Sequence, residues 1–187
     1  TVVNANMRNT INWFKDNNAM LVKVIPKNRR ELIDTQKAIP LGPTVSVSDG
    51  AKAQNRTYQD LLKNPNDEQN FEQLAYSELK KVSLDGIQSD FLPAAMYNAV
   101  NFSPDGNFVM VSHIKKPFSY LVTYRRFPFE KNVYSKSGKL VAMVNDVPLS
   151  EVQPKGFMAT RPGKRQMTWR DDKPATLVWV EALDEGD

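Results

Sequence analysis

Apolar and polar residues are ordered in the same way in three stretches of the chain: an aromatic residue, a polar turn and then an apolar strand. The middle stretch spans residues 101–114, and its turn contains Pro104, Asp105 and Gly106. Proline presets φ, aspartate can accept a hydrogen bond from its own backbone, and glycine tolerates positive φ. This stretch therefore predicts a β-hairpin closed by a tight turn.

The second strand of that hairpin is apolar on both faces for most of its length. Alternate side chains of a strand point to opposite sides. One face carries Phe108, Met110 and Ser112, and the other carries Val109, Val111 and His113. Because strands of this composition are usually covered on both sides, we expect this one to lie between two layers.

The other two copies of the motif lie towards the two ends of the chain. Residues 11–25 contain Trp13 and residues 167–182 contain Trp169, each at the position that Phe102 holds in the middle copy. Repeats of this kind are typical of a β-propeller, whose blades take about 40 to 50 residues each. The spacing of the three aromatic residues is longer, so we expect inserted segments inside the repeating units.

The first unit contains the clearest insertion. Residues 26–56 are rich in proline, glycine and polar side chains, which predicts a surface loop. Residues 57–63 then predict a short helix that ends at Asn64 and Pro65. A second helix is predicted over residues 67–75, where apolar residues recur at helical spacing and acidic residues occupy the first turn.

Further strands complete the first two units. Residues 77–84 alternate polar and apolar side chains and lead to a turn at Asp85 and Gly86. The second unit contains three more predicted strands, at residues 120–124, 132–135 and 139–144. A proline-containing connector over residues 145–165 then leads to the third copy.

The predicted fold is all-β: a partial β-propeller of about two and a half antiparallel blades, with a short helical insertion in the first blade. We expect residues 1–187 to form one propeller segment with units at 11–92, 96–150 and 167–187, the last of them incomplete. The chain begins without Met and ends like an unfinished hairpin, so we expect an excised piece. Open strand edges in such a piece favour dimerisation or strand exchange.

Composition excludes several classes of function. The chain has 25 Lys and Arg against 21 Asp and Glu, and this net charge of +4 is too small and too scattered for a nucleic-acid interface. There is no cysteine and only one histidine, so we expect no disulfide, no thiolate or multi-histidine metal site and no cofactor. No apolar run reaches the roughly 20 residues of a membrane span. We expect a soluble chain. Its composition assigns no compartment, and a periplasmic or secreted bacterial parent is one alternative.

Candidate catalytic residues have simpler structural explanations. A serine peptidase requires an exposed nucleophile, such as the serine of G-x-S-x-G, and that motif does not occur. His113 falls in a predicted strand, and Ser103 belongs to the predicted turn. Asp16, Asp105 and Asp171 recur at turn positions, where capping of the backbone explains them better than calcium binding. We therefore predict no catalytic residue in this chain.

One stretch concentrates guanidinium, aromatic and carboxylate groups. Arg125 and Arg126 precede Phe127 and could select acidic peptides, since the planar guanidinium suits carboxylates. The alternative, which we favour, is that both arginines pair with neighbouring acids. Residues 55–57 match a glycosylation sequon, which is a frequent chance occurrence.

Several segments carry a resemblance to a known family. They are Tyr-Gln-Asp-Leu-Leu-Lys at 58–63, Pro-Phe-Ser-Tyr at 117–120, Arg-Phe-Pro at 126–128, Asp-Val-Pro-Leu at 146–149, Trp-Arg-Asp-Asp-Lys-Pro at 169–174 and Trp-Val-Glu at 179–181. In their order they resemble the glutamyl endopeptidase branch of the prolyl oligopeptidase family. In that family a propeller covers an α/β-hydrolase domain that supplies the serine, aspartate and histidine.

The resemblance implies a noncatalytic propeller segment of a larger serine peptidase. Its partners would be the absent hydrolase domain, the remaining blades and a peptide substrate, with cleavage after glutamate expected of the branch. A propeller that serves only as a protein-interaction scaffold, as TolB-like repeats do, is the alternative function. A third possibility is a complete small β domain that binds a ligand.

Overall fold

The computed structural model of the protein describes residues 2–39, 42, 50, 58–151 and 160–183. Over these ranges the regular secondary structure is mostly β-strand, which fits the all-β prediction. The strands are β1 (Ile11–Trp13), β2 (Ala19–Val24), β3 (Ser77–Ser83), β4 (Gln88–Phe102), β5 (Phe108–Ile114), β6 (Phe129–Ser135), β7 (Leu140–Val147), β8 (Arg165–Trp169) and β9 (Leu177–Val180). The described residues also contain one α-helix, α1 (Pro65–Ala75), and a 3₁₀ turn over Tyr124–Arg126.

Strands β1 to β7 form one antiparallel sheet in chain order, and this sheet curls into a half-barrel. Strands β8 and β9 form a separate hairpin. The long strand β4 changes its partner along its length: it pairs with β3 up to Ala95 and with β5 from Met96 onwards. We call β1, β2, β3 and the beginning of β4 the first group, and the rest of β4 with β5, β6 and β7 the second group.

All three predicted hairpins are confirmed, and the aromatic residue that aligns them occupies the same place in each. Each aromatic residue of the motif is the last paired residue of its first strand: Trp13 pairs with Met20, Phe102 with Val109 and Trp169 with Leu177. The predicted location of the helical insertion is also confirmed, because α1 lies between β2 and β3.

Strand β5 lies between two layers, as its apolar faces predicted. Val109 and Val111 are buried in a cluster with Leu21 and Leu79 of the first group. Met110 points the other way, into a cluster with Met167 and Trp169 of the β8–β9 hairpin. The indole Nε1 of Trp169 also donates a hydrogen bond to the Asn101 carbonyl at 3.0 Å. The first group therefore packs on one face of β5 and the hairpin on the other, and we call this arrangement the stack.

The turns of the three hairpins lie side by side, and we call residues 14–18, 103–107 and 170–176 the turn row. Gly106 has φ of +72°, and a Cβ at this position would lie 2.7 Å from the Lys15 Cβ. On the other side, the Asp105 N–H donates to the Pro174 carbonyl at 3.0 Å. The turn row thus holds the three repeats in contact at one end of the stack.

The predicted turn role of Ser103 is confirmed. Its Oγ is buried, accepts a hydrogen bond from the Phe108 N–H at 3.0 Å and donates one to Asp105 Oδ1 at 2.6 Å. The hydrogen bond from Ser103 lowers the pKa of Asp105, with a further contribution from the Asn107 N–H. His113 lies in β5 as predicted, half-buried beside Tyr97, and burial lowers its pKa.

The helix predicted at residues 57–63 is wrong for the described part, 58–63, which contains no helix. Asn64 and Pro65 begin α1 instead of ending an earlier helix. The Asn64 side chain caps α1 by accepting from the Asp67 N–H at 3.0 Å, and Pro65 suits the first helical position, where no N–H is needed. The sequon at 55–57 lies outside the described residues.

The strand predicted at residues 120–124 is also wrong. Ser119 Oγ accepts a hydrogen bond from the Leu121 N–H at 3.0 Å, which bends the chain, and the 3₁₀ turn follows at Tyr124. The apolar side chains of this stretch pack against the helix: Val122 and Phe127 are buried in a cluster with Ala75 of α1. The sheet resumes at Phe129.

Residues 2–10 form a lead-in to β1 that is bonded to the rest of the fold. Asn4 is buried, and its Nδ2 donates to the carbonyls of Leu74 and Tyr76 and to Ser77 Oγ. Its backbone N–H donates to the Lys23 carbonyl at 2.9 Å. The lead-in is thereby tied both to β2 and to the end of α1, which fixes the residues that follow it.

Candidate functional site

Two clefts adjoin at the 3₁₀ turn, at the opposite end of β4 and β5 from the turn row. The larger, which we call the apolar cleft, has a volume of about 500 Å³. It is lined by Tyr58, Gln59, Asp60, Leu61, Leu62, Phe71, Val122, Thr123, Tyr124, Arg125 and Phe127. The smaller, which we call the cationic cleft, has a volume of about 230 Å³ and is lined by Met7, Arg8, Asn98, Tyr124, Arg125 and Phe129. Tyr124 and Arg125 line both clefts, and the two together form the groove.

The backbone of the 3₁₀ turn is fixed by three hydrogen bonds. The Arg126 N–H donates to the Thr123 carbonyl at 2.9 Å, and the Phe127 N–H donates to the Tyr124 carbonyl at 3.2 Å. The Arg126 carbonyl in turn accepts from the Ser150 N–H at 3.0 Å, beyond the end of β7. Arg125 therefore projects from a fixed backbone.

Aromatic packing holds this turn against α1. The Phe71 ring lies edge-on to Phe118 and Phe127, with centroid distances of 5.2 and 5.6 Å, and the rings of Phe118 and Phe127 stack at 5.3 Å. Each such pair contributes roughly 0.5–1.5 kcal/mol beyond its area burial. The helix insertion thus forms one wall of the apolar cleft and also supports the turn between the clefts.

The two predicted selectivity residues have different surroundings. The Arg126 guanidinium lies over the Tyr58 ring, 5.5 Å from its centroid, and its side chain is half-buried. Arg125 is exposed and lines both clefts. Within the described ranges neither guanidinium lies within ion-pair distance of a carboxylate. Arg125 is therefore the one of the two that faces the groove without a stacking partner there.

A buried lysine supports the cationic cleft from below. Lys23 is 1% exposed, and its Nζ donates to the Arg8 carbonyl and, at 3.4 Å, to the Tyr97 carbonyl. Burial lowers the pKa of Lys23 to about 8. Because the ammonium binds the backbone of Arg8, it fixes the chain from which the Arg8 side chain projects and adds positive charge behind it.

Asn98 lines the cationic cleft from a β-bulge. Tyr97 pairs with His113 and Ala99 with Ser112, so Asn98 is the extra residue between two paired ones. Its Oδ1 is enclosed and has no donor among the residues that the structure describes. An unsatisfied buried acceptor costs about 1–3 kcal/mol. Bulges often redirect a side chain in this way next to functional sites.

One carboxylate lines the described part of the groove. Asp60 belongs to the apolar cleft, and its backbone has φ of +57°. Among the residues that the structure describes, no Asp or Glu lines the cationic cleft. The two clefts therefore differ in charge: the cationic cleft is lined by the guanidinium groups of Arg8 and Arg125, whereas the apolar cleft is lined by Asp60 as well as Arg125.

The described residues show no arrangement for nucleophilic or metal chemistry. Ser103 Oγ is bonded within the turn row, whereas His113 lies at the other end of β5 beside Tyr97, so the two do not form a pair. Across these same ranges no three side chains among His, Asp and Glu converge on a common point. Nor is any helix in them long and apolar enough to span a bilayer.

Three residues of the groove were not anticipated from the sequence: Arg8, Lys23 and Asn98. Arg8 reaches it from the irregular segment before β1 and Asn98 from a bulge, and neither feature has a local signature in the sequence. Lys23 had one, because a lysine inside the apolar run of β2 requires a buried polar partner.

Comparison with known proteins confirms the likeness to glutamyl endopeptidases. The chain is 38% identical over 174 residues to a rice protein (Oryza sativa subsp. japonica) named "Probable glutamyl endopeptidase, chloroplastic". It is 38% identical over 176 residues to a protein of the same name from Arabidopsis thaliana. These matches cover 92% and 94% of the chain but only 18% of each relative. No family model matches the chain, and no solved structure matches it significantly.

Proposed function

We propose that this chain is a noncatalytic part of the β-propeller of a larger serine peptidase of the prolyl oligopeptidase type. In that protein it shapes the access of peptide substrates and favours acidic ones. The observation that carries the proposal is the stack of two four-strand groups and a hairpin around the turn row. The names of the two plant relatives support the peptidase assignment.

The stack fits about two and a half propeller blades. In a propeller each blade is a four-stranded antiparallel sheet that packs face to face on the next. The first and second groups have four strands each and share the apolar cluster that contains Leu21 and Val109. The cluster around Met110 and Trp169 then joins the second group to β8 and β9, which would be half of a third blade.

The surfaces of the hairpin suit further blades of the same propeller. Val178 and Val180 are 42% and 49% exposed on β9, which pairs only with β8 among the described strands. The chain spans about 18% of the length of the relatives, so the longer protein would supply the strands that cover β9 and the domain that carries the nucleophile.

Activity-based labelling of the complete protein from the same gene tests the proposal. We expect a fluorophosphonate probe to label that protein and to leave residues 1–187 alone unlabelled, since these residues lack a nucleophile motif. We also expect the complete protein to cleave peptides with glutamate faster than matched peptides with glutamine. Labelling of the isolated chain, or no labelling of the complete protein, would contradict the proposal. The second result would favour the TolB-like scaffold.

A further inference from the structure

We infer that the two ends of the stack fit each other, so that a second copy of the chain docks head to tail on the first. The outer face of the first group, with Ile11 and Trp13, contacts the outer face of the hairpin of the other copy, with Val178 and Val180. The inference rests on how the repeats pack, whatever reaction a larger protein carries out. A longer protein with further repeats would cover both faces within one molecule; residues 1–187 cover them with a second copy.

The outer face of the first group is apolar and open. We call its residues Ile11, Trp13, Met20 and Val82 the head face. Paired residues of an antiparallel sheet point to the same side, and Trp13 pairs with Met20, which pairs in turn with Val82. Ile11 and Trp13 are 52% and 51% exposed. The contact with the second group uses the opposite side of these strands, through Leu21.

The residue that aligns with Trp13 is covered in both other repeats. Phe102 packs against the cluster that contains Leu21 of the first group. Trp169 is buried in the cluster that contains Met110 of the second group, and it is 7% exposed against 51% for Trp13. The aromatic side of a hairpin therefore packs on the preceding repeat, and within the described ranges the first group has none.

The hairpin at the other end of the stack leaves the opposite side open. We call Thr168, Val178 and Val180 the tail face. Val178 directly follows the residue paired with the motif aromatic, and Leu21 and Met110 hold that place in the other two repeats. Those two side chains are buried under the next repeat, whereas Val178 and Val180 are 42% and 49% exposed. The tail face is thus the position on which a next repeat packs.

The head face and the tail face are the two halves of a contact that the chain already makes twice. In each internal contact the aromatic side of one hairpin packs on the opposite side of the preceding repeat. A second copy repeats this arrangement when its head face packs on the tail face of the first. Because two different surfaces meet, each pair keeps one free head and one free tail, so further copies extend it into a ring or an open row.

The strand edges are poorer docking sites than these faces. Residues 88–95 of β4 pair only with β3, and they contain Pro93, which has no N–H to donate. The edge strand β7 carries an extra residue against β6 at Val141 and again at Val144. Strand β1, at the opposite edge of the sheet, has three residues. Proline, bulges and short strands discourage pairing with another chain, so contact through the faces is favoured over the strand exchange that open edges suggest.

The contact between copies is expected to be weak, with Trp13 contributing most. Each face offers few exposed apolar side chains, so the buried area falls below the roughly 1,600 Å² of a standard interface. We therefore expect a dissociation constant of about 100 µM. Tryptophan is among the residues that most often dominate the binding energy of an interface.

Sedimentation velocity of the 187-residue chain tests the inference. We expect the average sedimentation coefficient to rise between about 10 and 500 µM chain, on either side of that dissociation constant. Trp13→Lys and Val178→Lys should each weaken association about 30-fold, because a charge replaces an apolar contact. Ile11→Lys is a second variant of the head face, and circular dichroism and the urea midpoint check that each variant folds.

Mixing the two variants separates a head-to-tail contact from a two-fold one. Trp13→Lys keeps an intact tail face and Val178→Lys keeps an intact head face. Each should stay monomeric alone, whereas their equimolar mixture should form dimers that grow no further, with the affinity of the unmodified chain. In a two-fold contact between two head faces, Val178→Lys would associate like the unmodified chain, and this result would overturn the inference.

Met143→Lys is the matched control. Met143 is 60% exposed on β7 and lies outside both faces, so this variant should associate like the unmodified chain. Three further results would overturn the inference: no association up to about 500 µM chain, an equal loss in Met143→Lys and in Trp13→Lys, and a mixture of folded Trp13→Lys and Val178→Lys that stays monomeric.

Discussion

The turn row and the groove lie at opposite ends of the same strands, and they treat polar groups in opposite ways. In the turn row, Ser103 Oγ and the Asp105 N–H each have a partner. In the groove, Arg8 and Arg125 have no described ion-pair partner, and Asn98 Oδ1 has no described donor. Polar groups that bond one another fix the backbone of a turn, whereas exposed guanidinium groups without a protein carboxylate are bonded to water. The difference therefore separates an end that holds the repeats together from an end whose charges stay exposed.

The largest expected effect concerns the indole that joins the hairpin to the stack. Trp169→Ala removes a buried side chain that packs on Met110 and donates to the Asn101 carbonyl. We expect the free energy of unfolding to fall by about 3–5 kcal/mol in urea denaturation. Trp179→Ala is the control, since Trp179 is 41% exposed and should cost under about 1 kcal/mol. Equal losses would mean that the hairpin is not held by Trp169.

A smaller effect is expected inside the turn row. Gly106→Ala places a residue with a Cβ at φ of +72° and 2.7 Å from Lys15 Cβ, so we expect a loss of about 2 kcal/mol. Gly86→Ala is the matched control, because Gly86 has φ of +85° with nothing within 4 Å of the new Cβ. It should cost only about 1 kcal/mol of backbone strain. If the two variants lose the same stability, the turns do not press against each other.

Lys23 should make stability depend on pH. Its pKa is about 8 in the folded chain against an ordinary 10.5, so between these values the unfolded chain holds more protons and stability rises with pH. The slope is at most about 1.4 kcal/mol per pH unit. Burial raises the pKa of Tyr97 above its ordinary 10.0, which opposes the gain above that pH. Urea denaturation from pH 7.5 to 10 measures the slope, and Lys23→Met should reduce it, while Lys131, whose pKa burial also lowers, keeps part of it; an unchanged slope would contradict the assignment.

The smallest effect on stability is expected at the groove. Arg8→Gln and Arg125→Gln remove exposed charges without described ion pairs, so each should change the free energy of unfolding by less than about 0.5 kcal/mol. The same urea titrations measure it. A loss comparable with that of Gly106→Ala would place these arginines among the structural residues and remove the contrast between the two ends.

The sequence predicted the turn row well because its features are local. Pro104, Asp105 and Gly106 encode their turn within a few residues, and the alternating faces of β5 encode its two layers. The groove depends on distant contacts instead. The aromatic residues of 120–127 fit a strand by composition, but they pack on α1, more than 40 residues earlier in the chain. Arg8 is held at the groove by contacts of its segment with distant residues: Asn4 binds the end of α1, about 70 residues away, and Lys23 binds the Arg8 carbonyl.

The continuity of β4 has a consequence for modularity. The first and second groups meet within one strand, between Ala95 and Met96, without an intervening loop. A deletion, a duplication or a fusion junction placed between the groups would therefore sever hydrogen-bonded backbone on both sides. Junctions in the exposed turns would avoid this damage. A piece exchanged between related proteins at such turns would then carry parts of both neighbouring groups.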